Sequence, residues 1–382
     1  MNKVYIAGVG QTPVSESWDK SLKELAGDAG LMAIDDAGIG YPDALFVGNM
    51  MAITANRQAQ LATLMADWLG FHQKPAISIE TACSSGAAAF RMALMSIASG
   101  ELESALVIGA EKMTDSPGNE ITASLATAAD AELEADFGLS FVGLNALLMR
   151  RYMYEYGWEH ANFANFSINA HANAAHNPYA RFQQPITPES FKHSPMISDP
   201  INLMDASPVS DGAAAIVLSA RPIQNGRKIV SVIASSAMTD TLSLQNRKVG
   251  TKLTAAETSA KAAYAQAGLS PVDMGLFEYH DAFSIMAALS LEAAGFADPG
   301  QGPQLAIDGK IKFDSDIPVA TMGGLKARGH PVGATGIYQL VEATLQLQQR
   351  AGATQVRRPK YALTQNIGGS GSNIITHILQ AE

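Results

Sequence analysis

The only cysteine of the chain, Cys83, lies in a context suited to nucleophilic chemistry. It follows a β-like run that ends near Glu80 and precedes an alanine-rich, helix-like segment that begins at Ser85. At a helix N-terminus, unpaired backbone N–H groups and the helix dipole favour a thiolate, which is the reactive form of cysteine. A lone cysteine is more often a small buried apolar residue, so Cys83 needs partners before covalent acyl transfer can be assigned to it.

Two histidines and a glycine turn are candidate partners. His330 stands in a glycine-rich run before a predicted helix, where an imidazole could take the proton of a cysteine. His280 begins the sequence His-Asp-Ala-Phe after a short apolar strand, and it could donate to a carbonyl oxygen or shuttle a proton. The run Gly-Gly-Ser-Gly at 368–371 could present backbone N–H groups to an oxyanion. Each of these features is also compatible with a purely structural turn or cap.

The elements that would position these residues alternate between strand-like and helical runs, in the first third of the chain and again in the last third. This order indicates an α/β protein with parallel strands and suggests an internal duplication on the scale of a domain. The turn at Cys83 corresponds to the turn at His330, and strand 107–109 corresponds to strand 363–365. Active sites gather at the carboxyl ends of such strands, so we expect Cys83 and His330 in one cleft.

The middle of the chain interrupts the alternation. Residues 115–204 are rich in Ala, Asn, Tyr, Phe and His and are predicted to be largely helical, which we interpret as an insertion that carries substrate contacts. The predicted organisation is an N-terminal half formed by residues 1–118 and 205–222, an inserted loop domain at 119–204, and a C-terminal half at 223–382.

Composition excludes several classes of function. The 382 residues carry a net charge of −10, which argues against general binding of nucleic acid or anionic membranes. A single cysteine excludes an intramolecular disulfide and a cysteine-rich metal site, and it fits a cytoplasmic protein. No signal peptide and no membrane span are predicted, because no apolar run is long enough.

The order of Cys83, His-Asp-Ala-Phe at 280–283, Gly-His-Pro at 329–331 and Gly-Gly-Ser-Gly at 368–371 resembles the thiolase family nearly from end to end. The sequence is most similar to the sterol-carrier-protein-type and archaeal acetoacetyl-CoA thiolases. The resemblance implies a thiolase-like fold, with two duplicated βαβαβ-type halves in a five-layered αβαβα arrangement and an inserted helical loop domain that binds coenzyme A. It also implies a homodimer or homotetramer, and a complex with a hydroxymethylglutaryl-CoA synthase and a small OB-fold bridging protein.

The same resemblance implies roles for individual residues. Cys83 matches the acylated nucleophile, and His330 matches the histidine that activates it and helps to bind the thioester oxygen. His280 matches the first oxyanion-hole position, and Gly368 matches the glycine whose N–H joins that of Cys83 in the second oxyanion hole. No cofactor or metal is implied, because the coenzyme A thioester is the substrate.

The chain departs from the family at the second cysteine, the acid/base for the second substrate. Asn366 stands where most thiolases carry that cysteine, and Ala282 stands where sterol-carrier-type enzymes carry it. An amide is not a proton base at neutral pH. Deprotonation of acetyl-CoA must then use His280, His330 or a bound water. We hypothesise that His330 activates Cys83 and that His280 and His330 together serve the carbon–carbon step.

The predicted function is acyl transfer between acyl-CoA thioesters through a Cys83 acyl-enzyme, with Claisen condensation of acetyl-CoA to acetoacetyl-CoA or thiolysis of 3-ketoacyl-CoA. Three alternatives stay open: a ketoacyl-synthase-like condensing enzyme, a steroid-CoA aldolase, and a non-catalytic thiolase-like scaffold subunit of a multienzyme complex. The retained Cys83 argues against the aldolase, whereas the missing second cysteine gives the scaffold some weight.

Overall fold

The computed structural model describes residues 2–224 and 226–382. Its strands are β1 (Val4–Gln11), β2 (Ala44–Gly48), β3 (Ala76–Ile79), β4 (Ser104–Glu111), β5 (Met196–Ser198), β6 (Ile201–Asn202), β7 (Gly212–Ser219), β8 (Val230–Thr239), β9 (Phe277–Glu278), β10 (Tyr361–Gly368) and β11 (Asn373–Ala381). Its α-helices are α1 (Leu22–Ala37), α2 (Ala52–Ala55), α3 (Leu61–Leu69), α4 (Ser85–Ala98), α5 (Gly118–Ala126), α6 (Phe141–Tyr156), α7 (Ala164–Ala174), α8 (Pro188–Lys192), α9 (Thr254–Ala267), α10 (Ser284–Ala293), α11 (Gly302–Ile307) and α12 (Thr335–Gln348).

Nine strands form one sheet in the order β3-β2-β4-β7-β1-β8-β11-β10-β9. The pairing repeats in the two halves of this sheet. Strands β1 and β7, and likewise β8 and β11, are antiparallel; β7 and β4, and likewise β11 and β10, are antiparallel; β4 and β2, and likewise β10 and β9, are parallel. Val319 pairs in parallel with Phe277 of β9, in the place that β3 takes beside β2. The predicted duplication is therefore confirmed, including the match of strands 107–109 and 363–365.

The sheet is mixed, so the expectation of parallel strands is wrong for β1, β7, β8 and β11. Only four residues, 369–372, join β10 to β11, and so short a connection can join neighbouring strands only in antiparallel fashion. Strand β7 follows the long insertion instead of a crossover helix, and it runs antiparallel between β4 and β1. The parallel pairs are β2–β3, β2–β4 and β9–β10.

Helices α4 and α12 lie between the two halves of the sheet. They pack against each other, against β4 and β7 of the first half and against β10 and β11 of the second. Helices α1 and α3 cover the other face of the first half, and α9 covers β8 and β11 with α10 beside it. The layers follow the order αβαβα, which confirms the predicted fold class.

Glycines allow α4 and α12 to approach each other closely. A Cβ atom on Gly86 would lie 2.7 Å from the carbonyl oxygen of Gly333, and one on Gly336 would lie 2.6 Å from the backbone nitrogen of Ala87. Because a side chain has no room at either position, this contact requires glycine. It holds the turn before α4, which carries Cys83, beside the turn before α12, which carries His330.

The segment that interrupts the repeat contains α5 to α8 and the short antiparallel pair of β5 and β6. Helix α6 packs against α10, and α7 packs against the turn Gly324–Arg328 that precedes His330. The predicted domain boundaries at 118, 204 and 222 stay a prediction. None of the helices within the described residues is long and apolar enough to cross a membrane.

Replacing Gly86 with alanine should destabilise the protein by roughly 1–3 kcal/mol, because the added methyl group has no space beside Gly333. Gly118 is a matched control: it begins α5, and a Cβ atom there meets nothing within 4 Å. G118A should be neutral or slightly stabilising. Urea unfolding measures the free energy of unfolding of both variants. A G86A variant as stable as the wild type would show that the α4–α12 contact can accommodate a methyl group.

Candidate active site

The turn between β3 and α4 carries Cys83, and the two serines that follow hold it in shape. The Ser84 hydroxyl donates to the carbonyl oxygen of Thr81, and the Ser85 hydroxyl donates to that of Ala82, both at 2.6 Å. Ala82 has a φ of +53°, in the left-handed region that a residue with a side chain rarely adopts. Such strain is typical of functional turns, where surrounding hydrogen bonds maintain it.

Burial raises the pKa of the Cys83 thiol to about 12, and the charge of Glu111 adds to the rise. Hydrogen bonds from the backbone N–H groups of Cys83 and Gly369 act in the opposite direction but do not offset burial. The expectation that the helix N-terminus favours a thiolate is therefore wrong for the free protein. Helix α4 begins two residues after Cys83, and desolvation outweighs its dipole. The thiol is therefore protonated at neutral pH.

One cavity is lined by Cys83, His280 and His330. His280 follows β9, whereas His330 precedes the short turn that leads into α12. The centroids of the two imidazole rings are 5.3 Å apart, and the rings are nearly perpendicular at 87°. Most of the remaining wall is apolar, with Met113, Leu125, Phe141, Val142, Phe283, Met286 and Val332.

Hydrogen bonds determine which ring nitrogen of His330 carries the proton. The Nδ1 atom lies 2.6 Å from the hydroxyl oxygen of Thr335, and that hydroxyl donates to the carbonyl oxygen of Pro331 at 3.3 Å. The hydroxyl oxygen therefore accepts from Nδ1–H, which leaves Nε2 unprotonated. Burial, followed by the charges of His280 and Arg328, lowers the pKa of His330 well below its usual value. A neutral imidazole with a free Nε2 is able to accept a proton.

His280 has the opposite tautomer. Its Nδ1 accepts from the side-chain amide of Asn366 at 3.1 Å and from the backbone N–H of Ile367 at 3.4 Å. A backbone N–H can only donate, so Nδ1 carries no proton. Burial, followed by the charge of Arg328, lowers the pKa of His280 to about 3, which keeps the ring neutral with its proton on Nε2. His280 is thus arranged as a hydrogen-bond donor, and its Nδ1 is not free to act as a base.

The glycine turn after β10 lies beside Cys83. Gly368 is the last residue of β10, and a Cβ atom on it would meet the carbonyl oxygen of Thr81 at 2.4 Å. Gly369 lines the cavity, and its backbone N–H lowers the pKa of the Cys83 thiol. The sequence motif pointed to Gly368, and Gly369 was missed although it is the next residue of the same glycine run. The expectation that the N–H of Gly368 belongs to an oxyanion hole stays a prediction.

The insertion supplies a wall of the cavity that no motif indicated. Helix α5 contributes Leu125, and helix α6 contributes Phe141, Val142 and Asn145. Apolar spacing on a predicted helix cannot tell a cavity wall from ordinary core, so the sequence held no specific signal for them. Within residues 2–224 and 226–382, no group of three or more His, Cys, Asp or Glu side chains is placed to hold a metal ion.

A duplicated αβαβα fold with a cysteine, two histidines and backbone N–H donors around one cavity defines an acyl-transferring enzyme. Two family models agree with this class. Residues 4–199 match the thiolase N-terminal domain, and residues 236–381 match the thiolase C-terminal domain-like model. The chain belongs to the thiolase family, as the sequence motifs predicted.

Similar proteins point to the same branch of the family as the motifs. An acetyl-CoA acetyltransferase from Methanothermobacter thermautotrophicus is 42% identical over 384 residues, and the match covers 99% of each chain. Human sterol carrier protein 2 is 30% identical over 398 residues, which cover 98% of this chain and 72% of that protein. Among solved structures, the Ltp2-ChsH2(DUF35) aldolase shares the fold with a TM-score of 0.85 at 24% identity, covering 99% of this chain and 98% of that one.

Iodoacetamide reacts with thiolates, so its reaction with native Cys83 should be slow at pH 7 and should still be accelerating above pH 9, because burial raises the pKa of the thiol. Mass spectrometry of the single cysteine over a series of pH values measures the rate. Urea-denatured protein is the reference, with an ordinary thiol pKa of about 8.5. A native rate that levels off below pH 7 would reveal a thiolate–imidazolium pair and would contradict this picture.

Proposed function

We propose that the protein transfers acyl groups between acyl-CoA thioesters through an acyl group on Cys83, and that it condenses two acetyl-CoA molecules to acetoacetyl-CoA or runs the reverse thiolysis. The proposal rests on the cavity that Cys83, His330 and His280 line together. In this cavity Nε2 of His330 is unprotonated and Nε2 of His280 carries a proton. Similarity over 99% of the chain to an archaeal acetyl-CoA acetyltransferase supports acetyl-CoA as the substrate.

In the first half-reaction, Nε2 of His330 takes the proton of Cys83 as the sulfur attacks the thioester carbon. The carbonyl π electrons move onto the oxygen, where N–H groups of Cys83 and of the glycine turn 368–369 stabilise the charge. The carbonyl re-forms, the bond to the sulfur of coenzyme A breaks, and that sulfur takes the proton from His330. The thiol pKa is high and the imidazole pKa is low, so this transfer is unfavourable until a thioester is bound.

In the second half-reaction, acetyl-CoA loses an α-proton to a base, and its enolate carbon bonds to the acyl carbon on Cys83 while the carbonyl electrons move onto the oxygen. The carbonyl then re-forms, the bond from that carbon to the Cys83 sulfur breaks, and the sulfur takes the proton back from the base. Because Nδ1 of His280 accepts two hydrogen bonds, we assign donation to the enolate oxygen to its Nε2–H. His330 is again neutral after coenzyme A has left, so its Nε2 is available to take the α-proton. The hypothesis drawn from the sequence gave His280 a share in the carbon–carbon step together with His330. We now assign proton abstraction to His330 alone, because Nδ1 of His280 already accepts two hydrogen bonds and its Nε2 carries the proton. The reaction uses no metal or cofactor in this scheme.

Oligomer, partners and location are parts of the proposal with separate support. Strand β3 ends the sheet, and its Ile77 is 50% exposed, which suits pairing with a second copy in a homodimer or homotetramer. The pairing of Ltp2 with ChsH2(DUF35) in a similar structure supports a partner protein. An OB-fold bridging protein and a hydroxymethylglutaryl-CoA synthase are proposed on the family resemblance alone, and a cytoplasmic location is proposed from the single cysteine.

Incubation with acetyl-CoA should place one acetyl group on Cys83 and release one coenzyme A, whereas a Cys83→Ala variant should do neither. Intact-mass spectrometry detects the adduct, and chromatography detects the free coenzyme A. A wild-type protein that forms no adduct would instead be a scaffold subunit. An adduct formed only from thioesters of acyl carrier protein would identify a ketoacyl-synthase-like enzyme.

Replacing His280 with alanine should slow condensation by roughly 10²- to 10³-fold, because an oxyanion donor is lost. His280→Asn retains a side-chain N–H donor and should recover most of that loss. Acetoacetyl-CoA formation and Cys83 acylation are measured side by side, so that the two half-reactions are separated. If the asparagine variant condenses as slowly as the alanine variant, His280 acts as a base and the donor role is wrong.

A further inference from the structure

Asn145 on α6 places an amide in the apolar wall of the Cys83 cavity, with only 3% of the residue exposed. Its Nδ2 donates to the carbonyl oxygen of Phe141 at 2.9 Å. Its Oδ1 is buried and receives no hydrogen bond from any residue within 2–224 and 226–382. The Phe141 carbonyl can only accept, so reversing the amide would place two oxygens together and is excluded.

A buried acceptor without a donor is unfavourable and uncommon in folded proteins. Most of the cavity lining is apolar; the hydroxyl residues in it are Thr122 and Ser207, and the Thr122 hydroxyl donates to the carbonyl oxygen of Gly118 instead of to Asn145. A hydrogen-bond donor on a molecule bound in the cavity would satisfy Oδ1 of Asn145. None of the described residues that line the cavity is Asp, Glu, Lys or Arg, which favours a neutral donor over a charged one.

We propose that Oδ1 of Asn145 accepts a hydrogen bond from a neutral N–H or O–H group of the bound thioester, and that Asn145 thereby selects thioesters that carry such a group. This rests on the proposed function, because it names the substrate chemistry of the same cavity. Two parts of an acyl-CoA can supply the donor: an amide of the pantetheine arm, or a hydroxyl group on the acyl chain.

The test compares Asn145→Leu with the wild type in the rate of Cys83 acylation. One pair of probes is butyryl-CoA against its 2-, 3- and 4-hydroxy derivatives, and the other is butyryl-CoA against the butyryl thioester of ethanethiol, which has no amide. Each pair gives a ratio of kcat/KM values, and the ratio is compared between proteins so that other contacts of coenzyme A cancel. Asn145→Leu should lower one of the two ratios about tenfold.

Asn56 provides a matched control. Its Nδ2 also donates to a backbone carbonyl, that of Lys112 at 3.0 Å, and its Oδ1 is also buried without a donor among the described residues, but it does not line the cavity. Asn56→Leu should keep both wild-type ratios. If Asn145→Leu fails to fold in a thermal melt, Asn145→Ala takes its place.

The outcomes show which part of the thioester supplies the donor, and they distinguish failure of the Asn145 proposal from failure of the proposed function. A lower ratio for a hydroxybutyryl-CoA places the donor on the acyl chain, and a lower ratio for coenzyme A over ethanethiol places it on the pantetheine arm. Unchanged ratios, or ratios that change equally in Asn56→Leu, overturn the role of Asn145. A wild-type protein that is acylated neither by these thioesters nor by acetyl-CoA overturns the proposed function instead.

Discussion

The contact between α4 and α12 is the constraint on which the rest of the site depends. Gly86 and Gly336 bring the two helix starts so close that any side chain at either position would overlap backbone atoms. The turns that precede these helices carry Cys83 and His330, so this contact brings the proposed nucleophile and its proposed base to one cavity. The same contact leaves room for Asn366, whose Oδ1 would lie 2.5 Å from a Cβ atom on Gly336. Asn366 in turn orients His280, and all three functional side chains therefore depend on one glycine-lined interface.

Burial keeps the Cys83 thiol and both imidazoles of the resting site neutral. It raises the pKa of Cys83 and lowers the pKa of both histidines, so thiol and imidazoles are uncharged together. Glu111 is also buried, with a pKa raised to about 7, and it accepts the N–H groups of Met50, Met51 and Gly333. In the proposed reaction, the thiol and the imidazoles become charged only as bonds change, in a cavity where fixed N–H donors are more effective than they would be in water.

The absence of a second cysteine has a structural counterpart in Asn366. Where a thiol would have offered a proton acceptor, the amide donates to His280 and leaves that ring with its proton on Nε2. Asn366 therefore offers no proton acceptor and sets the tautomer of His280. His330, whose Nδ1 is held by Thr335, becomes the one imidazole of the pair with a free nitrogen. In the proposed reaction, His330 is then the base of both half-reactions, and it returns to the neutral state between them.

Much of this protein follows from its sequence by itself. The alternation of strand-like and helical runs predicts the α/β class and the duplication. The residue types around Cys83, His280, His330 and the glycine turn predict acyl transfer. Both predictions are possible because these patterns are short-range and can be recognised within a few residues. The directions of β7 and β11, the protonated state of Cys83, the tautomers of the two histidines and the positions of Gly369 and Asn145 were decided by the tertiary structure. Each of them depends on burial or on a partner distant in the chain, as His280 depends on Asn366. A pKa or a tautomer is a property of the surroundings of a group, and those surroundings exist only once the chain has folded.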